Sequence, residues 1–449
     1  MTRYTFPSPP GLSSMRRRAL HVAMLVANTG AGDARVMKEA ESLVAQGHEV
    51  TVFCLAGRGL PSHEQIAGVR YVRLRERHKG PDAGTLPASG LPRPAVRPGL
   101  TQRLKAAIAP FIQHELHAAT FSRPVASSKP GIIHAHDFET LPAAVRAAAK
   151  CGARVVYDMH ELEEGRLPAA GPLLARWKRW LESRALRRVA ATITVSPSIA
   201  SYKARAYGIP LPTVVLNAPR LSLQTAATPA LRERCGLPPG TPLGVYVGVA
   251  SLGRGIEQLV AALVQVPDFH LALLGSVRPE LRAHLQHAAA CLRGRLHLLD
   301  PVPHDDVVTH IASADFGVAT IPGSCLNYEF CLPNKLFEMT FAGLPVLVSN
   351  TTEMKRFVAE TGTGLAVDAQ DVAAISAGLR AVYADRGQLR PDAAKLEALR
   401  ARFGWQRQAE HLIEVYDAVA NGPRGLPVRM ARRALATSLR PAGAFAAGN

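Results

Sequence analysis

The chain has 449 residues, 47% of them hydrophobic and 20% charged, with a formal net charge of +18. This is the composition of a globular protein of two or three domains, and no apolar run approaches the roughly 20 residues that a membrane-spanning helix requires. The basic excess favours phosphorylated ligands, anionic membrane surfaces or nucleic acid, and says nothing about fold.

Arg16-Arg17-Arg18 followed by the apolar run from Ala19 to Ala27 imitates a signal peptide. A buried first strand is the better reading. The run contains His21, ends in the turn Asn28-Thr29-Gly30-Ala31-Gly32 and leads into helical spacing from Asp33 to Gln46. Gly47 closes that helix, and His48 to Leu55 makes a second strand. Further strands are expected at Val69 to Leu74, Gly131 to His134, Ala153 to Asp158 and Val189 to Val195, which with intervening helices imply a parallel sheet covered on both faces. From Glu76 to Gly99 the chain is rich in Pro, Gly and Arg without periodicity and reads as a long loop, either a lid over a bound acceptor or a tolerated insertion.

Prolines and a polar stretch place an interdomain linker between Asn217 and Thr241. A second βα series follows, with strands at Leu243 to Val249, Phe269 to Leu274, Arg295 to Leu299, Phe316 to Ala319 and Val346 to Ser349. Before the last of these, Pro333 opens a helix and Gly343 stops it. The free amides of its first turn and the Lys335 ammonium suit an anion such as a phosphate, and Glu338, four residues after Asn334, shares its face. An ordinary crossover helix with a surface Lys and Glu fits the same residues equally well. Ala409, Leu412, Ile413, Tyr416 and Ala420 mark one face of a terminal helix, and the residues from Pro423 form a basic tail that suits an anionic membrane or no fixed structure.

The domain boundaries expected are 15–216, a linker at 217–241, 242–403, a crossover helix at 404–420 and a tail at 421–449. Six scattered cysteines, with no C-x-x-C pair, point to free thiols rather than a zinc site. Nucleic acid ranks low as a partner, because no zinc finger, KH loop or RNP-like strand is present.

Two doubly wound domains and a Pro-Asn-Lys-Leu-Phe-Glu helix resemble the group 1, family 4-like glycosyltransferases of the two-domain GT-B fold. The resemblance runs from about residue 19 to residue 420 and is carried by Asp33-Ala34-Arg35, Gly47-His48-Glu49-Val50-Thr51-Val52, His134-Ala135-His136-Asp137, Tyr157-Asp158-Met159-His160-Glu161, Tyr246-Val247-Gly248, Gly253-Arg254-Gly255-Ile256-Glu257, Leu274-Gly275 and Pro333 to Ser349. It implies two Rossmann-like domains with an interdomain cleft, a last helix that crosses back to the first domain, and transfer of a sugar from a nucleoside diphosphate donor with retention. No metal or other cofactor is implied. The acceptor it implies is a glycan or a lipid-linked molecule in surface polysaccharide synthesis, handled by a cytoplasmic enzyme with or without peripheral contact at an anionic inner membrane face.

On this resemblance Arg254 and Lys335 are the cations for the departing diphosphate, aided by helix-start amides after Gly253 and Pro333. Asn334 and Glu338 join the donor site. Glu338 matches the second glutamate of the Glu-x7-Glu pair of many members, but Phe330 stands where the first belongs. Glu329, one position earlier, fills that role if the loop shifts by a residue; otherwise backbone amides hold the sugar. Val249 replaces a usual basic residue, which leaves more of the charge to Arg254. His136 either contacts the transferred sugar, relays a proton, or is structural. Gly32, Asp158, His160 and Glu161 are the acceptor-side candidates. Two other readings keep the same fold: a nucleotide-sugar epimerase, and a catalytically weak nucleotide-sugar-binding scaffold.

Overall fold

The computed structural model describes residues 19–76, 100–166, 171–220 and 230–422. The chain divides into two compact units. Among the described residues, those as far as His160, those of Leu173–Ile193 and those from Ile413 make the first unit, and those of Glu161–Pro172 and Thr194–Leu412 make the second. The region from 77 to 99 and the tail from 423, both singled out above, lie outside the described residues.

In the first unit the strands are β1 (His21–Leu25), β2 (Glu49–Leu55), β3 (His63–Ile66), β4 (Val69–Leu74), β5 (Ile132–His136), β6 (Arg154–Met159) and β7 (Ala191–Thr194). They lie in the order β3-β4-β2-β1-β5-β6-β7. β1, β2, β4, β5 and β6 run parallel, and β3 is antiparallel to its neighbour β4. The strands are legible as apolar runs because both faces are buried, with β1 and β5 almost wholly so. The helix Ala34–Ala45 starts where Asp33 caps it, accepting a hydrogen bond from the Val36 N–H at 3.3 Å. This helix carries Arg35 and Glu39 against the sheet.

In this unit two features differ from the sequence expectation. β5 continues to His136, so both histidines of His134-Ala135-His136 are strand residues, and register pairs His136 with Asp158. β3 was not expected at all. It is a polar edge strand, His-Glu-Gln-Ile, returned into β4 by Ala67 and Gly68 with φ of 49° and 83°, the two positive values that a tight hairpin turn needs.

The second unit begins with a two-residue strand, β8 (Thr213–Val214), and is built on β9 (Leu243–Val247), β10 (His270–Leu274), β11 (Leu296–Leu299), β12 (Phe316–Ala319), β13 (Val346–Ser349) and β14 (Gly364–Val367). Its parallel sheet has the order β11-β10-β9-β12-β13-β14. Alternate residues of β9 feed two cores. Val245 and Val247 pack with Leu336, Phe337 and Met339 on one face, and Tyr246 packs with Ile256, Leu259 and Phe316 on the other. The helix Asn334–Phe341 follows Pro333 and ends before Gly343, whose φ is 73°, as its punctuation predicts.

Candidate functional site

In open parallel sheets ligands gather at the carboxyl ends of the strands. In the second unit those ends carry Gly248 after β9 and Gly275 after β10. The two turns touch: a Cβ on Gly275 would lie 2.3 Å from the Gly248 carbonyl oxygen, so no larger residue fits. Beside Gly248 stands Lys335, the second residue of the helix Asn334–Phe341. Its Nζ is buried, has no hydrogen-bond partner, and sits 3.4 Å from the centre of the Tyr246 ring. Burial first, then the nearby Arg254 charge, push the Lys335 pKa well below the ordinary lysine range, while Glu338 pulls the other way. An anion entering here would meet an amino group whose donors are unspent and would favour its protonated form.

Arg254 is half-buried in the loop Gly253-Arg254-Gly255. Gly255 has a φ of 76°, and a Cβ there would fall 1.8 Å from the Thr320 carbonyl oxygen, so the loop is pressed against the end of β12. The Gly253 N–H is already donated to Glu257 Oε1 at 3.1 Å. Gly253 therefore shapes the turn, and the Arg254 N–H is likewise donated, to the Ser251 carbonyl at 3.4 Å. Asn334 is half-buried at the first helical position, and Glu338 is buried one turn later on the same face.

Glu329 ends a short helix, Leu326–Glu329, and its Oε1 accepts from Thr352 Oγ1 at 2.6 Å and the Thr352 N–H at 3.0 Å. It thereby caps the helix Thr352–Thr361. Phe330, in place of the family's first glutamate, lies 6.2 Å ring to ring from Tyr202, and its carbonyl accepts from Ser196 Oγ at 2.7 Å. Val249 is 40% exposed at the end of β9.

The first unit gathers a different set of groups at the carboxyl ends of β5 and β6. Arg35 forks onto Asp158, with Nε to Oδ2 at 2.8 Å and Nη2 to Oδ1 at 2.9 Å, and its Nε lies 3.0 Å from Glu39 Oε1. His160 Nε2 is 2.9 Å from Asp158 Oδ2 and its Nδ1 is 3.2 Å from Asp137 Oδ2. Asp137 also accepts the His160 N–H and holds a left-handed φ of 61°, which aspartate tolerates. His136 Nδ1 lies 3.1 Å from His160 Nε2, and the ring of His136 stacks on that of His134 at 4.3 Å. His134 Nδ1 in turn meets the Tyr416 hydroxyl at 2.8 Å.

The charges of this cluster follow from its pairs. Burial alone would raise Asp158, but Arg35 and then His160 override it and hold the carboxylate well below its usual range. Burial would lower His160, yet Asp137 and Asp158 raise it well above 6.5, so it is an imidazolium at neutral pH. His134 is pushed well below 6.5, first by burial and then by His136. Burial lifts Glu39 to about 7 against the pull of Arg35. Glu39, His134, His136 and Asp158 offer donor atoms within 4.8 Å of one another. They fit a metal ion poorly, since Arg35 already takes both Asp158 oxygens and the two stacked imidazoles lie at 15°, nearly parallel rather than convergent. The arrangement is a balanced ion-pair network that fixes His136 at the sheet edge.

Of the acceptor-side residues expected from sequence, Asp158 and His160 thus lie together with His136. Gly32 is exposed with a φ of 73° and open space beside it. Glu161 falls in the second unit, where it pairs with Arg166 at 2.5 Å. Sequence reasoning gave no role to Arg35, Glu39 or Tyr246. Arg35 and Tyr246 stood inside quoted motifs, whereas Glu39 is one turn beyond Arg35 on a face that i, i+4 spacing would have exposed.

Two family models match the chain, a glycosyl transferase 4-like domain over residues 30–220 and glycosyl transferases group 1 over residues 242–385. The chain belongs to the group 1, family 4-like glycosyltransferases. It is 28% identical over 302 residues to a D-inositol 3-phosphate glycosyltransferase of Xylanimonas cellulosilytica, covering 64% of this chain and 71% of the relative. It is 27% identical over 313 residues to a glycogen synthase of Mycobacterium tuberculosis, covering 66% and 71%. Among solved structures, sucrose-phosphate synthase from Thermosynechococcus elongatus matches with a TM-score of 0.68 at 19% identity, over 90% of this chain and 100% of that one. Anabaena HepE in complex with UDP-glucose matches with a TM-score of 0.64 at 14% identity, over 89% and 100%. These likenesses show the GT-B fold, two parallel-sheet α/β domains, for this glycosyltransferase.

Proposed function

We propose that this glycosyltransferase moves a sugar from a nucleoside diphosphate sugar to a glycan or lipid-linked acceptor with retention at the anomeric carbon, in the synthesis of a surface polysaccharide. The observation that carries the donor reading is Lys335, a buried amino group without a hydrogen-bond partner at the carboxyl ends of β9 and β10, with Arg254 near enough to depress its pKa. A diphosphate would restore its charge and occupy its donors. Glu338 then holds ribose hydroxyls one turn along the same helix, and Asn334 completes that face. The UDP-glucose bound by Anabaena HepE agrees with such a ligand.

In the front-face route the acceptor hydroxyl oxygen bonds to the anomeric carbon as the bond from that carbon to the diphosphate oxygen breaks. The acceptor proton passes to the departing diphosphate. Lys335 and Arg254 stabilise the charge that grows there. No carboxylate nucleophile is required, which suits a first unit whose Asp137 and Asp158 are committed to ion pairs. His136, held by the network around it, faces the acceptor side. We place the reaction in the cytoplasm, at the inner face of an anionic membrane.

Purified protein incubated with UDP-, GDP-, dTDP- and ADP-sugars, without acceptor, tests the reading through binding and slow nucleotide release. One donor is expected to bind and hydrolyse slowly, and Lys335→Ala and Glu338→Ala are each expected to weaken it. A protein that binds no donor, or whose variants behave as the wild type, overturns the assignment. Binding of a donor with no transfer to any acceptor would leave the scaffold reading, which Phe330 and Val249 favour.

A further inference from the structure

The helix Pro172–Leu186 of the first unit turns one face outward that nothing in the described residues covers. Leu173 is 79% exposed and Trp180 57% exposed, values far from those of core residues. With the exposed Arg176 and Arg184 they fall at positions 173, 176, 180 and 184, the three- and four-residue steps of a single helical stripe. Arg179 beside this stripe, and Arg187 and Arg188 just after the helix, are also exposed. The helix has one carboxylate, Glu182, and it is buried, accepting from the Tyr157 hydroxyl at 3.0 Å. The outward face is therefore apolar and cationic, with no acidic group. Arg184 lies over the Trp180 ring, 5.8 Å from its centre.

We infer that this stripe docks the protein on an anionic lipid bilayer, with Leu173 and Trp180 entering the interface and the arginines meeting lipid phosphates. A tryptophan and a leucine flanked by arginines match the amphipathic boundary of a membrane, where an indole buries its ring and keeps its N–H wet. The inner face of the helix ties this surface to the β5 edge. The Trp177 ring meets His114 edge-on at 5.1 Å, and His114 stacks at 5.2 Å on Phe138, in the helix that begins directly after His136. The outer stripe is thus linked, through His114 and Phe138, to the helix that follows His136. This deepens the transferase reading, on which it rests for what the membrane presents: the acceptor is then lipid-linked.

Flotation of the full-length protein, without donor or acceptor, tests the surface apart from that reading. The probes are vesicles of phosphatidylcholine alone and of phosphatidylcholine mixed equally with phosphatidylglycerol, at physiological salt. The wild type is expected to float with the mixed vesicles only. Leu173→Ser with Trp180→Ser is expected to lower the partition coefficient by about tenfold or more, and Arg176→Gln with Arg184→Gln by about fivefold per charge. Unchanged near-ultraviolet circular dichroism shows that the variants fold. The inference is overturned if the Leu173/Trp180 variant floats as the wild type does, as it would if the basic tail from Pro423 or a soluble-polyanion site supplied the attraction, or if the wild type does not float. Loss of flotation in these variants with donor turnover on a soluble acceptor intact supports the docking face, and loss of turnover alone counts against the transferase reading only.

Discussion

Lys335 Nζ stands 3.4 Å from the centre of the Tyr246 ring, buried and without a hydrogen-bond partner. The ring face and the Glu338 carboxylate attract that charge, but they repay only part of the cost of burial beside Arg254, which accounts for the depressed pKa. A bound diphosphate raises that pKa again, so donor binding takes up a proton at a pH between the free and bound values. Calorimetric titration of nucleoside diphosphate in two buffers of different ionisation enthalpy is expected to report the uptake. In Lys335→Met it disappears, and affinity falls by about 1.5–3 kcal/mol.

The hydroxyl and the ring of Tyr246 separate cleanly. Its hydroxyl donates to the Val249 carbonyl at 3.2 Å, at the strand end, while the ring faces the ammonium. Tyr246→Phe is expected to keep donor affinity within about threefold, and Tyr246→Leu to lower the Lys335 pKa further and weaken binding by about 1–2 kcal/mol. Equal losses in both variants would assign the effect to the hydroxyl.

How much of this was legible follows from where the partners sit in the chain. The helix Asn334–Phe341 and strand β13 were readable because Pro333, Gly343 and a run of apolar residues are local signals. β3 was not, since a polar edge strand has neither alternation nor an apolar run. The network around His136 joins Arg35 to Asp158 across 123 residues and His134 to Tyr416 across 282. Periodicity carries no information about such pairs; only the packing of the helices that carry Arg35 and Tyr416 against the sheet brings them together. Glu329 was visible as a carboxylate near the donor helix, but its partner Thr352 lies 23 residues further on and was invisible.

Breaking the Arg35–Asp158 fork leaves buried charges unpaired. Arg35→Met is expected to destabilise the protein by about 3–5 kcal/mol in urea unfolding. Adding Asp158→Asn removes the orphaned carboxylate, so the double variant should cost clearly less than the sum of the single ones. Additive losses would show that the fork contributes nothing beyond two separate side chains.

The Glu39 carboxyl titrates at about 7 in the fold, against an ordinary value of 4.5. Between those values the folded chain holds a proton that the unfolded chain has released, so this group makes stability fall as pH rises through that window. Glu39→Gln cannot lose the proton. Comparing urea unfolding at about pH 4.5 and about pH 8, the variant is expected to gain on the wild type by about 1–3 kcal/mol at the higher pH. A constant difference across that range would mean that Arg35 keeps Glu39 ionised throughout.

Glu329 tests whether a donor contact or a helix cap occupies the position before Phe330. As a cap it spends Oε1 on Thr352, and Glu329→Ala removes a carboxylate from a helix start at a cost of about 1 kcal/mol of stability. As a sugar contact it would add a loss in turnover that stability does not explain. The discriminating variant is Glu329→Gln, whose amide oxygen still accepts from Thr352 but carries no charge. The capping role predicts near wild-type kcat/KM for Glu329→Gln with Glu329→Ala only less stable. The sugar-binding role predicts a fall of about tenfold or more in kcat/KM for both, because a charged acceptor for a sugar hydroxyl contributes about 1.5–3 kcal/mol. Measuring kcat/KM and the urea midpoint on the same preparations decides between them, since only one role moves the rate without moving the midpoint.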